Sequence, residues 1–123
     1  MSAETVEEAR KGFTAWQGGD FDTIEAMLDR NVTWHWFEPG DWDCNGREDV
    51  MRTLRERYDE GFARAPIELV DVGDDVVIAV VRPRETGGGE WPAEVATVIT
   101  FRDGKVVSMQ DHRTPEEAVA SVR

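Results

Sequence analysis

Val76-Val77-Ile78-Ala79-Val80-Val81 and Val95-Ala96-Thr97-Val98-Ile99-Thr100-Phe101 are the stretches on which the fold turns. Nearly every side chain in them is apolar or β-branched, so both read as strands, and as strands covered on both faces. They sit within four strand-like runs, residues 67–72, 76–82, 94–101 and 106–113. Gly73-Asp74-Asp75 and Asp103-Gly104 are tight-turn sequences between them, which predicts an antiparallel meander. The connection over residues 83–92, with Gly87-Gly88-Gly89, reads as a loop.

Before this meander the period of the apolar residues is helical. Thr5-Val6-Glu7-Glu8 has the form of a capping box, and Val6, Ala9, Phe13 and Trp16 follow at helical spacing until Gly18-Gly19. Asp22-Thr23-Ile24-Glu25 is a second capping box, opening a short helix with Ile24, Met27 and Leu28 on one side. Val32-Thr33-Trp34-His35-Trp36-Phe37 reads as a strand whose alternation turns Val32, Trp34 and Trp36 to one face and His35 to the other. Residues 38–46 have loop composition, and Val50, Leu54 and Tyr58 mark a third helix that closes before Pro66. Thr114-Pro115-Glu116-Glu117 starts a last short helix.

Helices first and strands after is the α+β order. The expected architecture is one domain over residues 1–123, with three to four helices packed on a curved antiparallel sheet around an apolar pocket. Three helices cover only one face of such a sheet, so the doubly apolar strands predict that a second copy covers the other, in an isologous homodimer.

The chain's 123 residues include 26 acidic and 14 basic side chains, a formal net charge of −12. A field of that sign repels phosphates and anionic headgroups, so neither nucleic acid nor a membrane surface is an expected partner. Cys44 is the single cysteine, which leaves no intrachain disulfide to suggest an oxidising compartment. The opening Met1-Ser2-Ala3-Glu4 lacks the basic and apolar regions of a signal peptide, and the expected location is cytoplasmic. His35 and His112 have no ligand-like spacing, so no metal and no cofactor is expected.

Trp16-Gln17-Gly18-Gly19-Asp20-Phe21-Asp22 with Val32-Thr33-Trp34-His35 resembles the opening of the NTF2-like superfamily, in particular its SnoaL-like branch. Gly46-Arg47-Glu48-Asp49-Val50 and Phe101-Arg102-Asp103-Gly104-Lys105-Val106-Val107 before Asp111 resemble its later landmarks. The resemblance spans nearly the whole chain and implies a cystatin-like cone. It implies no single activity, because ketosteroid isomerases, polyketide cyclases, limonene epoxide hydrolases and silent binding subunits share the scaffold.

Set against the ketosteroid isomerases without gaps, Gly12, Trp36 and Ile99 fall where a tyrosine, a carboxylate base and an aspartic acid would stand. None of the three can abstract a proton from carbon or hydrogen-bond an enolate. Against the limonene epoxide hydrolases, Asp111 falls on a catalytic carboxylate, while Asp75 and Val77 stand near the other members of that triad. Asp111 is thus the leading acid/base candidate, predicted beside Val107 and Met109 on the pocket face, where desolvation raises a carboxyl pKa. The alternative is a strand-end carboxylate that caps the next turn or pairs with Arg113. His35 is the second catalytic candidate, set against a role at the sheet edge or dimer face. Trp16, Trp34, Trp36, Tyr58 and Met109 are the expected walls for a small apolar ligand. Trp42 is a candidate lid, and Cys44 is read as unreactive.

The function that follows is proton-transfer chemistry of isomerase, cyclase or hydrolase type on a small apolar molecule. The alternative is a non-catalytic module for ligand binding or dimerisation.

Overall fold

The computed structural model describes residues 2–38, 40, 43–73, 75–82 and 94–122. Trp42 and the loop over residues 83–92 lie outside them. The elements run α1 (Ser2–Gln17), α2 (Phe21–Met27), β1 (Leu28–His35), β2 (Cys44–Asn45), α3 (Arg47–Asp59), a 3-10 turn (Phe62–Arg64), β3 (Ile67–Gly73), β4 (Val76–Val81), β5 (Val95–Arg102), β6 (Lys105–His112) and α4 (Pro115–Ser121). Helix α1 starts ahead of the Thr5 capping box. Asp20, not Asp22, caps α2: its carboxylate accepts from the Thr23 N–H at 3.2 Å and the Thr23 hydroxyl at 2.6 Å. Thr114 caps α4 as its sequence predicts, accepting from the Glu117 N–H at 3.1 Å.

The six strands form one sheet in the order β2-β1-β6-β5-β4-β3. The meander β3 to β6 is antiparallel throughout, and Asp103 and Gly104, with φ of 52° and 79°, make the tight turn between β5 and β6. The sheet is nevertheless mixed, because β1 lies parallel to β6. Alternation marks a strand but not its direction. Only a hairpin turn fixes that locally, and no turn joins β1 to β6. The small strand β2 adds an edge inside what reads as a loop, where Trp34 pairs with Cys44.

Register shifts interrupt the ladders between Leu28 and Thr33, between Asp71 and Gly73, and between Thr100 and Phe101. Each extra residue bends its strand, and the sheet curves into an open cone. Helices α1, α2 and α3 pack on the inner, concave side, where Trp16, Val32, Val50, Met51, Val77, Ile99 and Phe101 are buried. The Trp16 indole N–H donates to the Leu54 carbonyl at 3.0 Å and ties α1 to α3.

The outer face is where the expectation of a second copy meets a fourth helix. Ala118 and Val119 of α4 pack against Ile78, Val80, Ala96 and Val98, and Ile78, Val80 and Ala96 are fully buried within the single chain. The double-sided apolar pattern of β4 and β5 is thus met largely by the chain's own last helix. Val70, Val72 and Val76 remain half-buried beside it.

Candidate functional site

Three neighbouring strands deliver one polar cluster to the inner face of the cone. Thr97 on β5 stands directly across from Asp111 on β6, and Trp34 on β1 stands across from Met109 on the other side of β6. The Asp111 side chain is 3% exposed. Its Oδ1 accepts the Thr97 hydroxyl at 2.7 Å, and the Trp34 indole N–H is shared between Oδ1 at 3.0 Å and Oδ2 at 3.1 Å. Burial pushes this carboxyl up to about 6, against the hydrogen bonds from Thr97 and Trp34 and the positive field of Arg57, all of which favour the carboxylate. Desolvation dominates because donors hold the group in place without exposing it to water.

Asp111 stands at the wall of a cavity of about 230 Å³. Phe13 and Trp16 come from α1, Thr53, Leu54, Arg57 and Glu60 from α3 and the residue following it, Thr97 and Ile99 from β5, and Trp34, Trp36 and Met109 from β1, its extension and β6. The Arg57 guanidinium pairs with Glu60 at 2.6 Å. Most of the lining is aromatic or aliphatic, so a polar atom entering the cavity meets few partners other than this carboxyl group and the Arg57–Glu60 pair.

Residues 9–109 match the SnoaL-like domain family. The chain belongs to that family. Among solved structures, Bal32a from a soil-derived mobile gene cassette is similar at 27% identity, with a TM-score of 0.63 over 91% of each chain. A cystatin-fold protein from Novosphingobium aromaticivorans is similar at 18% identity and a TM-score of 0.64, covering 89% of this chain and 97% of that one. An NTF2-like protein from Burkholderia xenovorans is similar at 20% identity and a TM-score of 0.62, covering 91% and 84%. These last two speak for the fold alone. No curated protein matches the sequence significantly.

Within this SnoaL-like cone, Trp16, Trp34, Trp36, Met109 and Asp111 are brought to one cavity, and two expected residues are not. The Tyr58 side chain is turned outward, 37% exposed, with its ring edge-on to Phe21 at 5.4 Å. Val50 and Leu54 set the inner face of α3, and a residue seven positions after Val50 falls about 20° from it around the helix, whereas one eight positions on falls about 80° away. Arg57, not Tyr58, therefore continues that face. His35 lies on the opposite side of β1 from Trp34, with 43% of its side chain exposed and its Nδ1 3.5 Å from the Asp43 carboxylate. That carboxylate also accepts the Trp36 N–H at 2.9 Å, which holds it below the usual carboxylate range and fixes the chain beyond β1.

The register shift at Thr100 and Phe101 also exchanges two valines, since Val106 turns into the core while Val107 drops out of the inward alternation. Arg113 does not reach Asp111: it pairs with Glu38 at 3.1 Å and lies over the Phe37 ring at 4.8 Å. Cys44 is buried against the Thr53 hydroxyl at 3.2 Å, and burial pushes its thiol up.

Thr53, Arg57, Glu60 and Thr97 are the polar lining residues that the sequence reading passes over. Thr97 leaves a signal: among the alternating positions Val95, Thr97, Ile99 and Phe101 of β5 it is the one hydroxyl, which calls for a hydrogen-bond partner. Among the described residues, no helix is long and apolar enough to cross a membrane, and no group of three or more His, Cys, Asp or Glu is arranged to hold a metal ion.

Proposed function

We propose that this SnoaL-like protein binds a small, largely apolar molecule in the Asp111 cavity and moves a proton on it, with Asp111 as the acid/base group. One observation carries the reading: a carboxyl group 3% exposed, yet part of the wall of a cavity of about 230 Å³. A carboxyl held there only for structure would be isolated from any ligand, whereas this one can be touched by whatever fills the space. With a pKa of about 6, both its forms are populated near neutral pH, which suits proton transfer in either direction. Oδ1 already takes two donors and Oδ2 only a share of one, so Oδ2 keeps a lone pair for the substrate proton. Arg57 stands on the same wall in its ion pair with Glu60, and its guanidinium is a donor toward negative charge that develops on the substrate.

The second reading is binding without turnover. It is favoured by Gly12, Trp36 and Ile99, which stand where the resembled isomerases carry a hydroxyl and two carboxyls. The two readings separate on hydrogen–deuterium exchange at the α-carbon of an enolisable apolar ketone, such as 2-tetralone, followed by NMR. Proton transfer predicts exchange above the buffer rate, rising with pH through an apparent pKa of about 6 and lost in Asp111→Asn. Saturable binding without exchange would leave only the binding module.

A homodimer through the outer face enters this proposal only at the half-buried Val70, Val72 and Val76. The lone, buried thiol of Cys44 is compatible with a reducing, cytoplasmic setting.

A further inference from the structure

A second recess, of about 70 Å³, lies against the first and has only apolar surface. The two share Phe13, Trp16, Leu54, Ile99 and Met109 as walls, so these five residues form the partition between them. From this partition the small recess runs to Gly12 on α1, Met27 on α2, and Phe101 and Val106 at the turn end of β5 and β6. Asp111 lines only the larger space.

Gly12 draws the eye to this end of the cone. It sits in the middle of α1 without a left-handed backbone angle, so its conformation does not require glycine. Glycine at such a position weakens a helix relative to alanine. A Cβ there would stand 3.3 Å from Met27 Cε and 3.5 Å from its Sδ, so any larger side chain would take up the recess or push Met27 into it. The wall that would have to move for the two spaces to join includes Met109, whose unbranched thioether adapts readily to a new neighbour.

We infer that the two recesses form one elongated binding site for an amphiphile, whose proton-bearing polar head meets Asp111 and whose aliphatic tail passes Met109 toward Gly12 and Met27. This rests on the proposed role of Asp111 for the head, and on the geometry alone for the tail. The small recess has roughly half the volume of an apolar cavity that admits benzene, which sets the tail at about three carbons beyond the ring held among the tryptophans. Its wholly apolar wall would leave a charged or hydroxylated tail without a partner, so the inference excludes sugars and dicarboxylates as ligands.

A series of 4-n-alkylphenols, from methyl to hexyl, tests this by calorimetry, with quenching of tryptophan fluorescence as a second readout. In the parent protein, affinity is expected to rise about fourfold per methylene over the first three or so carbons and then level off. In Gly12→Leu that rise disappears, so that 4-methylphenol and its longer homologues bind alike. Met27→Phe fills the same recess from α2 and gives the same flattened series should Gly12→Leu not fold. Equal increments in parent and filled variants overturn the inference, as does the absence of length-dependent binding in the parent. Asp111→Asn separates the two ideas: it weakens all members equally if the head reading holds, and a length dependence that persists with no effect of Asp111→Asn removes the head and keeps the tail.

Discussion

Replacing Asp111 by asparagine should stabilise the protein, and by an amount that depends on pH in one direction only. The folded chain holds this carboxyl at about 6, above the model value of 3.8, so the native state binds its proton more tightly than the unfolded chain does. The stability contributed by that proton is complete below the unfolded pKa and is lost as pH rises through the folded one. A rise of roughly two units corresponds to about 3 kcal/mol, the cost of keeping the carboxylate buried at high pH. Asparagine keeps the shape and an oxygen for the Thr97 hydroxyl but carries no charge, and it sets an N–H against the Trp34 indole, which returns some of the gain. The pH dependence of the difference is cleaner than its size. Between pH 8 and pH 5 the stability of Asp111→Asn relative to the parent should fall by about 1.4 kcal/mol, nearly half of the full span. Urea denaturation of both proteins at half-unit intervals measures it, and the other carboxylates cancel in the difference. A difference flat across this range would mean that Asp111 titrates as an ordinary exposed aspartate, and the burial argument for its chemistry would fail with it.

Removing a donor from the same carboxyl should move its titration further up: Trp34→Phe and Thr97→Val each raise the Asp111 pKa above about 6, read by carbon-13 NMR of the side-chain carboxyl or by the midpoint of the ketone exchange profile. Ala118→Glu places a charge on the fully buried contact between α4 and the sheet and should cost roughly 3 kcal/mol or more, with early hydrogen exchange in residues 115–121. Light scattering on the parent and on Val72→Lys checks the outer-face homodimer: a parent that is already monomeric at micromolar concentration removes it, and a dimer split by the lysine supports it.

How much of this was legible in the sequence depends on what each element's signal encodes. Alternation and β-branching place β3 to β6 to within a residue or two, and Asp103-Gly104 announces its own turn. Period two carried from Met109 is enough to turn Asp111 inward. The parallel seating of β1 beside β6 has no local signature, since it depends on where the chain goes between them. The register shift near Phe101 is equally silent, and one skipped residue trades Val107 for Val106. Tyr58 misleads for a simple reason: four-residue steps drift around a helix, and two of them carry a side chain off the buried face. His35 could be read correctly from alternation alone, which turns it away from the tryptophans.

The hydrogen bond from Trp34 to Asp111 joins residues 77 positions apart, one in the first long strand and one in the last. A nascent chain that has delivered only the first five strands therefore holds the indole but not its acceptor, and no fragment ending at the Asp103-Gly104 hairpin can form the proposed site. Closure of this long loop and delivery of the buried carboxyl to its indole partner are a single event, so a long-range step of folding also completes the proposed site.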